Sequence, residues 1–357
     1  DEPDTDNTGV GIEFSLISVP KNNIEGTKMK LITKTILILY LLLIPAQSET
    51  NKLVVYTYDS FVAEWGPGPA LEAKFEEFCM CDLQFVGLSD GVEILTRVMY
   101  EGQNTDADII LGLDSNLTHK AKMTGMFDNH SLDLQNLNIS DRFEDEVFVP
   151  YDFGYFSFIY NSSKIQNPPT SFDELLNSKI SIIIQDPRTS TPGLGLLLWI
   201  KKVYGDDASE IWGKLNSNIL TVTPGWSEAY GLFLDGEADM VLSYTTSPAY
   251  HITYEDDDTY KAAKFTDGHY EQIEVAAKLA NNENDELADK FLSFLISKDA
   301  QDIIPETQWM YPVIDDVKLS SAFEQLINIE KPLRIEAKEV DINNEKWIRE
   351  WEASLSK

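Results

Sequence analysis

Cysteine, histidine and positive charge are all scarce in this chain. Its 357 residues hold two Cys, four His and 28 Lys plus Arg against 60 Asp plus Glu, a net charge of −32. So few cations exclude a nucleic-acid surface, because phosphate backbones are held by Lys and Arg patches. The acid excess either favours a cationic ligand through the summed field or keeps a secreted protein soluble. The histidines (His119, His130, His251 and His269) are scattered, with no H-E-x-x-H pair, Ser nucleophile elbow or Walker loop. Catalytic constellations are therefore thin. Cys79 and Cys81 stand in EEFCMCDLQF with no further Cys or His beside them, which argues against a metal there. In an oxidising compartment the two could pair, although a C-x-C ring is small and strained.

Long apolar runs are also missing, with one exception near the start. Residues 29–48 read MKLITKTILILYLLLIPAQS: Met29, the basic Lys30 and Lys34, an apolar stretch from Ile36 to Ile44, then Ala46-Gln47-Ser48. A basic segment, a short apolar one and small residues at −3 and −1 form a secretory signal peptide cleaved after Ser48. The run is short for a bilayer span. Residues 1–28 precede this start Met and read as an upstream extension absent from the mature protein. No Cys lies at the cleavage point to carry a lipid, so a periplasm is the expected location.

What remains is globular, with 43% hydrophobic and 25% charged residues. Its length favours two lobes of roughly 100–150 residues over one core. Strand-like LVVYTY (53–58), a helix over 70–78, a strand over 83–87, a helix over 92–100 and buried ADIILGL (107–113) form a β-α-β-α-β series. That order predicts an α/β fold with a mostly parallel sheet and covering helices. The aromatic segment 147–160 follows, and then the pattern restarts. It predicts helix 171–178, strand 180–185, helices 192–204 and 207–215, strand 219–223, helix 227–235 and strand 239–244. Segment 268–280 leads to helix 284–297. The two long segments read as crossovers, 149–160 and 268–316, the latter returning to the first lobe. Lobe one covers 51–148, lobe two 155–270, and a helical tail 317–357.

Candidate site residues stand at strand ends. In an open α/β lobe, ligands sit beyond the carboxyl ends of the strands. Tyr58-Asp59-Ser60 follows the first strand and Asp90-Gly91 the second. Ser190-Thr191-Pro192-Gly193 caps a helix, either as ordinary helix-start chemistry or as an anion or hydroxyl site. GWSEAYGLFLDGEADMVLSYTTSPAY (225–250) holds five aromatics. Tyr230 and Phe233 share a helix face and read as core, whereas Trp226 and Tyr244-Thr245-Thr246-Ser247 follow strands. Trp309 lies in a loop, ETQWMYP. Aromatic faces with carboxylates suit a planar organic cation, or else form a structural cluster.

Four stretches are specific enough to carry a family resemblance: VYTYDSFVAEWGPGP, IIQDPRTSTPGLGLLLWIKKVYGDDA, GWSEAYGLFLDGEADMVLSYTTSPAYH and QWMYPV. Together they resemble the periplasmic thiamine-binding proteins of bacterial thiamine ABC transporters, over residues 52–355. The resemblance implies a type II periplasmic binding fold, two α/β lobes joined by crossing hinge strands around a ligand cleft. It implies capture of thiamine, thiamine monophosphate and thiamine diphosphate. Delivery is to a membrane permease and, through it, an ATPase, with no cofactor, no metal and a monomeric state. The implied contacts are Tyr58, Asp90, Gly91, Ser190, Thr191, Trp226, Tyr244, Thr245, Thr246, Ser247, Tyr250 and Trp309. The rings would hold the thiazolium and Asp90 the aminopyrimidine or the cation. Ser190, Thr191 and their helix N-terminus would take the hydroxyethyl group or its phosphate. Two rivals share this fold: a thiaminase-like enzyme, which needs a nucleophilic Cys in the cleft, and a ferric-ion carrier, which needs converging tyrosines.

Overall fold

The computed structural model describes residues 51–139, 143–330 and 332–356. The expected extension (1–28) and signal peptide (29–48) lie outside the described residues. Among the described residues no helix is long and apolar enough to cross a membrane.

The first half of the molecule is built on β1 (Lys52–Tyr58), β2 (Asp82–Leu88) and β3 (Ile109–Asp114), with α1 (Gly68–Cys79) and α2 (Gly91–Glu101) between them. Strand β1 is buried on both faces apart from Lys52, as a central parallel strand covered by helices must be. It pairs in parallel with both β2 and β3. The second half repeats the plan with β5 (Ile182–Gln185), β6 (Ile219–Thr223) and β7 (Met240–Tyr244), and β5 pairs in parallel with both neighbours. Its helices are α3 (Thr191–Tyr204), α4 (Ala208–Leu215) and α5 (Trp226–Leu234). Helix α3 is apolar all round and buried from Thr191 to Ile200. Its Trp199 packs among the rings of Phe158, Phe172 and Phe265.

Two long strands join the halves. Strand β4 (Val149–Asn161) pairs with β9 (His269–Lys278) over its first part, from Val149 to Tyr155. From Phe156 to Tyr160 it pairs with β7 instead. The chain thus changes halves within a single strand. The short β8 (Tyr260–Ala262) lies antiparallel against the end of β4. Every pairing among β3, β4, β7 and β9 is antiparallel, so the sheet is mixed: parallel inside each half and antiparallel where the crossing strands run. The sheet order is β2-β1-β3-β9-β4-β7-β5-β6.

After β9 the chain forms α6 (Asp285–Leu295) against the first half and ends in α7 (Ala337–Leu355). This last helix touches both halves. Trp351 packs edge-on to Trp212 of α4, and Lys201 of α3 lies 5.6 Å over the Trp347 ring. Asp341 holds His119 Nδ1 at 2.8 Å on the other side. Cys79 and Cys81 are bridged to each other where α1 ends and β2 begins, the strand end away from the cleft.

Candidate functional site

Five strands deliver their carboxyl ends to one cavity of about 300 Å³, at the low end of the range for small-molecule sites. Tyr58 closes β1, Asp90 follows β2, Thr191 follows β5, Trp226 follows β6 and Tyr244 closes β7, and all five line it. Ser247, Tyr250 and Trp309 line it too. Gly91, Ser190, Thr245 and Thr246, the other four expected contacts, are buried but do not line the cavity.

Their burial has physical reasons. Gly91 lies where Thr191 of the opposite half comes closest, and a Cβ there would collide with Thr191 Oγ1 and with the Gly112 carbonyl 2.8 Å away. Thr245 N donates to Tyr155 O at 2.8 Å, which ties the turn after β7 to β4. The hydroxyls of Thr191, Thr245 and Thr246 have no hydrogen-bond partner among the described residues.

Asp90 lines the cavity, but its carboxylate is already engaged by backbone donors. Its Oδ1 accepts from Gly91 N at 2.6 Å and Thr191 N at 2.9 Å, while Oδ2 accepts from Trp226 N at 3.0 Å. These are the first residues of α2, α3 and α5, so one carboxylate caps three helix N-termini, two of them from the opposite half. Ser227 Oγ adds a second link across the cleft, donating to Asp59 Oδ1 at 3.1 Å. The halves are closed on each other. The N-terminus of α3, expected to face a hydroxyethyl group or phosphate, has its first N–H taken by Asp90. Burial pushes the Asp90 carboxyl up to about 6 despite those donors.

The second half supplies a ring wall. Trp226 stacks on Tyr230 with centroids 5.0 Å apart, and its Nε1 donates to Ser243 Oγ at 2.8 Å. Tyr230 in turn bonds His251 Nε2 through its hydroxyl at 2.9 Å. Tyr230 is buried in a core cluster, as its spacing with Phe233 predicts, but it also lines the cavity behind Trp226. Treating it as core alone is therefore corrected. Trp65, unnoticed in the sequence, faces Trp226 from the first half at 6.4 Å and is half exposed at the rim. Trp309 meets Tyr250 edge-on at 5.7 Å. Its φ of 59° is a left-handed conformation costly for a bulky residue.

The floor contains the most consequential residue missed in the sequence. Glu274 of β9 lines the cavity, and Tyr58 OH donates to its Oε2 at 2.7 Å. Tyr151 OH donates to the same oxygen, and Gln272 Nε2 donates to Oε1 at 2.7 Å. Gln308, also at the cavity, donates to Tyr58 OH. Gly112 beneath Tyr58 has a φ of 97°, and a Cβ there would strike the ring. The available signal was an acidic residue inside the otherwise apolar run IEVAA. No Lys or Arg lines the cavity among the described residues.

Two α/β halves joined by crossing strands and closed over a ring-lined cavity that carries carboxyls define a two-lobed solute-binding protein. Comparison with known proteins agrees. The model of the family described as bacterial extracellular solute-binding protein matches residues 104–335, and the chain belongs to that family. It is 51% identical to the thiamine-binding periplasmic protein of Brucella abortus over 318 residues, 88% of this chain and 95% of the relative. The protein of the same name from Escherichia coli is 51% identical over 307 residues, 85% of this chain and 94% of that one. A solved periplasmic thiamin binding protein superposes with a TM-score of 0.85 at 50% identity, covering 87% of this chain and 98% of its own. A ferric binding protein from Campylobacter jejuni shares the fold, with a TM-score of 0.70 at 19% identity over 85% of this chain and 99% of that one.

Proposed function

We propose that this protein is a periplasmic carrier that captures thiamine in the cavity and hands it to an ABC permease and its ATPase. The carrying observation is the pairing of a ring wall with a carboxylate floor and no Lys or Arg among the described residues that line it. Such a site attracts a fixed positive charge on a flat ring and repels anions. About 50% identity over most of the chain to proteins named for thiamine supports the choice of cation.

The thiazolium lies against Trp226, Tyr244 and Tyr250, with Trp309 and Tyr58 completing the wall. Glu274 and Asp90 supply the negative field. The hydroxyls of Thr191 and Ser247 meet the polar ends of the ligand, and the buried Ser190, Thr245 and Thr246 stand behind them. Thiamine monophosphate and diphosphate are the same cation with an anionic tail. That tail reaches the α3 N-terminus only by displacing Asp90. Binding favours the closed state, the form a permease can recognise.

The protein binds without turning thiamine over. A thiaminase-like reaction needs a thiolate, and both cysteines are bridged at the strand end away from the cleft. Iron carriage is disfavoured by the tryptophans, whose faces suit an organic ring better than a metal ion. Calorimetric titration with thiamine, its two phosphate esters and ferric citrate tests the reading. One site for thiamine, tighter than about micromolar, supports it. Iron uptake without thiamine binding refutes it.

A further inference from the structure

Three acids share one row of the sheet where the crossing strands meet. Glu274 of β9 stands opposite Asp114 of β3 on one side and Asp152 of β4 on the other. Facing positions on neighbouring strands place Cβ atoms about 5 Å apart on one face. All three are buried, and Glu274 alone of them lines the cavity. No ion pair joins any of the three to Lys or Arg among the described residues. Asp114 accepts from Asn116 N at 2.6 Å and from its side-chain amide. Neither oxygen of Asp152 has a partner among the described residues.

The other groups facing Glu274 are neutral or acidic: Tyr58 from β1, Tyr151 from β4, Gln272 on its own strand, and Asp90 farther off. Three adjacent buried carboxyls cannot all ionise, because each added charge raises the cost of the next. Burial pushes Asp114 and Glu274 each up to about 7, and drives Asp152 well above the usual carboxylate range. The ligand-free row therefore keeps protons at neutral pH.

We propose that Glu274 is the residue that selects a positively charged ring in this cavity, and that the Asp114–Glu274–Asp152 row yields a proton to solvent as the cation enters. This rests on the cavity being the thiamine site. The balance is simple: one fixed positive charge arrives, one O–H bond of the row breaks, and the proton leaves to buffer. No other bond changes. Asp152 and Asp114 act behind Glu274 as a reserve that sets how many protons are held, without touching the ligand.

The experiment is calorimetric titration of thiamine into the purified protein at pH 7 in two buffers of different ionisation enthalpy, repeated from pH 6 to 8. The expected result is release of up to one proton per thiamine, with affinity rising by up to tenfold per pH unit. Glu274→Gln loses tenfold or more in affinity and loses the buffer dependence of the enthalpy. Asp152→Asn, outside the cavity, still binds thiamine but shifts the proton count. Thiamine binding with equal enthalpy in both buffers and no dependence on pH overturns the inference and leaves the thiamine reading standing. No thiamine binding at any pH overturns both.

Discussion

The two sides of the cavity work by different physics. The second half offers rings, Trp226 backed by Tyr230 and then His251, with centroid spacings of 5.0 and 5.9 Å. The crossing strands and the adjacent β3 offer carboxyls, Glu274 between Asp114 and Asp152. A ring wall is close to indifferent to pH and gains from desolvation. A buried row of acids is costly to ionise and is relieved by a counter-charge. One side supplies shape and the other decides the sign of what fits.

Acidity should separate them most strongly. Asp90, Asp114 and Glu274 are raised to about 6, about 7 and about 7. A carboxyl raised in the folded state stabilises below its unfolded pKa, and that stability is lost as pH rises through the folded value. The ligand-free protein should therefore melt several degrees higher at pH 5 than at pH 8, on the order of a few kcal/mol. Saturating thiamine should narrow the gap. Scanning calorimetry at both pH values measures it, and a melting point that rises with pH would remove the strained row.

Next in size is the ring wall. Trp226→Ala removes about 2 kcal/mol of cation–π attraction and about 1–2 kcal/mol of apolar contact, a loss of about a hundredfold or more in thiamine affinity. That loss should be the same at pH 6 and pH 8, in contrast to Glu274→Gln, whose deficit should grow with pH. Equal pH behaviour in the two variants would erase the division between the walls.

Asp90 belongs to neither side. Asp90→Ala leaves the N–H groups of Thr191 and Trp226 without their cap, at about 1 kcal/mol per helix. Small-angle scattering should show a larger radius of gyration for the ligand-free variant than for wild type. An unchanged radius would mean that the halves stay closed without the Asp90 clasp. Smallest of all, Tyr230→Phe loses the hydrogen bond to His251, worth about 1 kcal/mol, and should weaken thiamine binding only a few-fold.

The ring wall was legible in the sequence because strand ends are local features. Strand 219–223 falls where its pattern puts it, and Trp226 and Tyr244 follow from their strands. Helix 171–178 shrinks to Phe172–Leu176, and helix 227–235 starts one residue earlier, at Trp226. That single residue matters, since it turns the Trp226 N–H toward Asp90. The clasp itself was not legible, because its donors come from three helices distant in the chain. Nor was the carboxyl row: Asp114, Asp152 and Glu274 become neighbours only through the register of β3, β9 and β4. Tyr230 shows a third kind of limit. Spacing reveals that a ring faces inward, but not that its other edge meets a cavity.

The central claim is that rings and carboxyls together select a flat cation. Comparing thiamine with an analogue whose thiazolium is replaced by a neutral thiophene, by tryptophan fluorescence titration at pH 7.5, tests it most directly. Thiamine should bind at least about tenfold more tightly and quench or shift the emission, since Trp226, Trp309 and Trp65 all line the cavity. Equal affinities for the charged and neutral rings would contradict it.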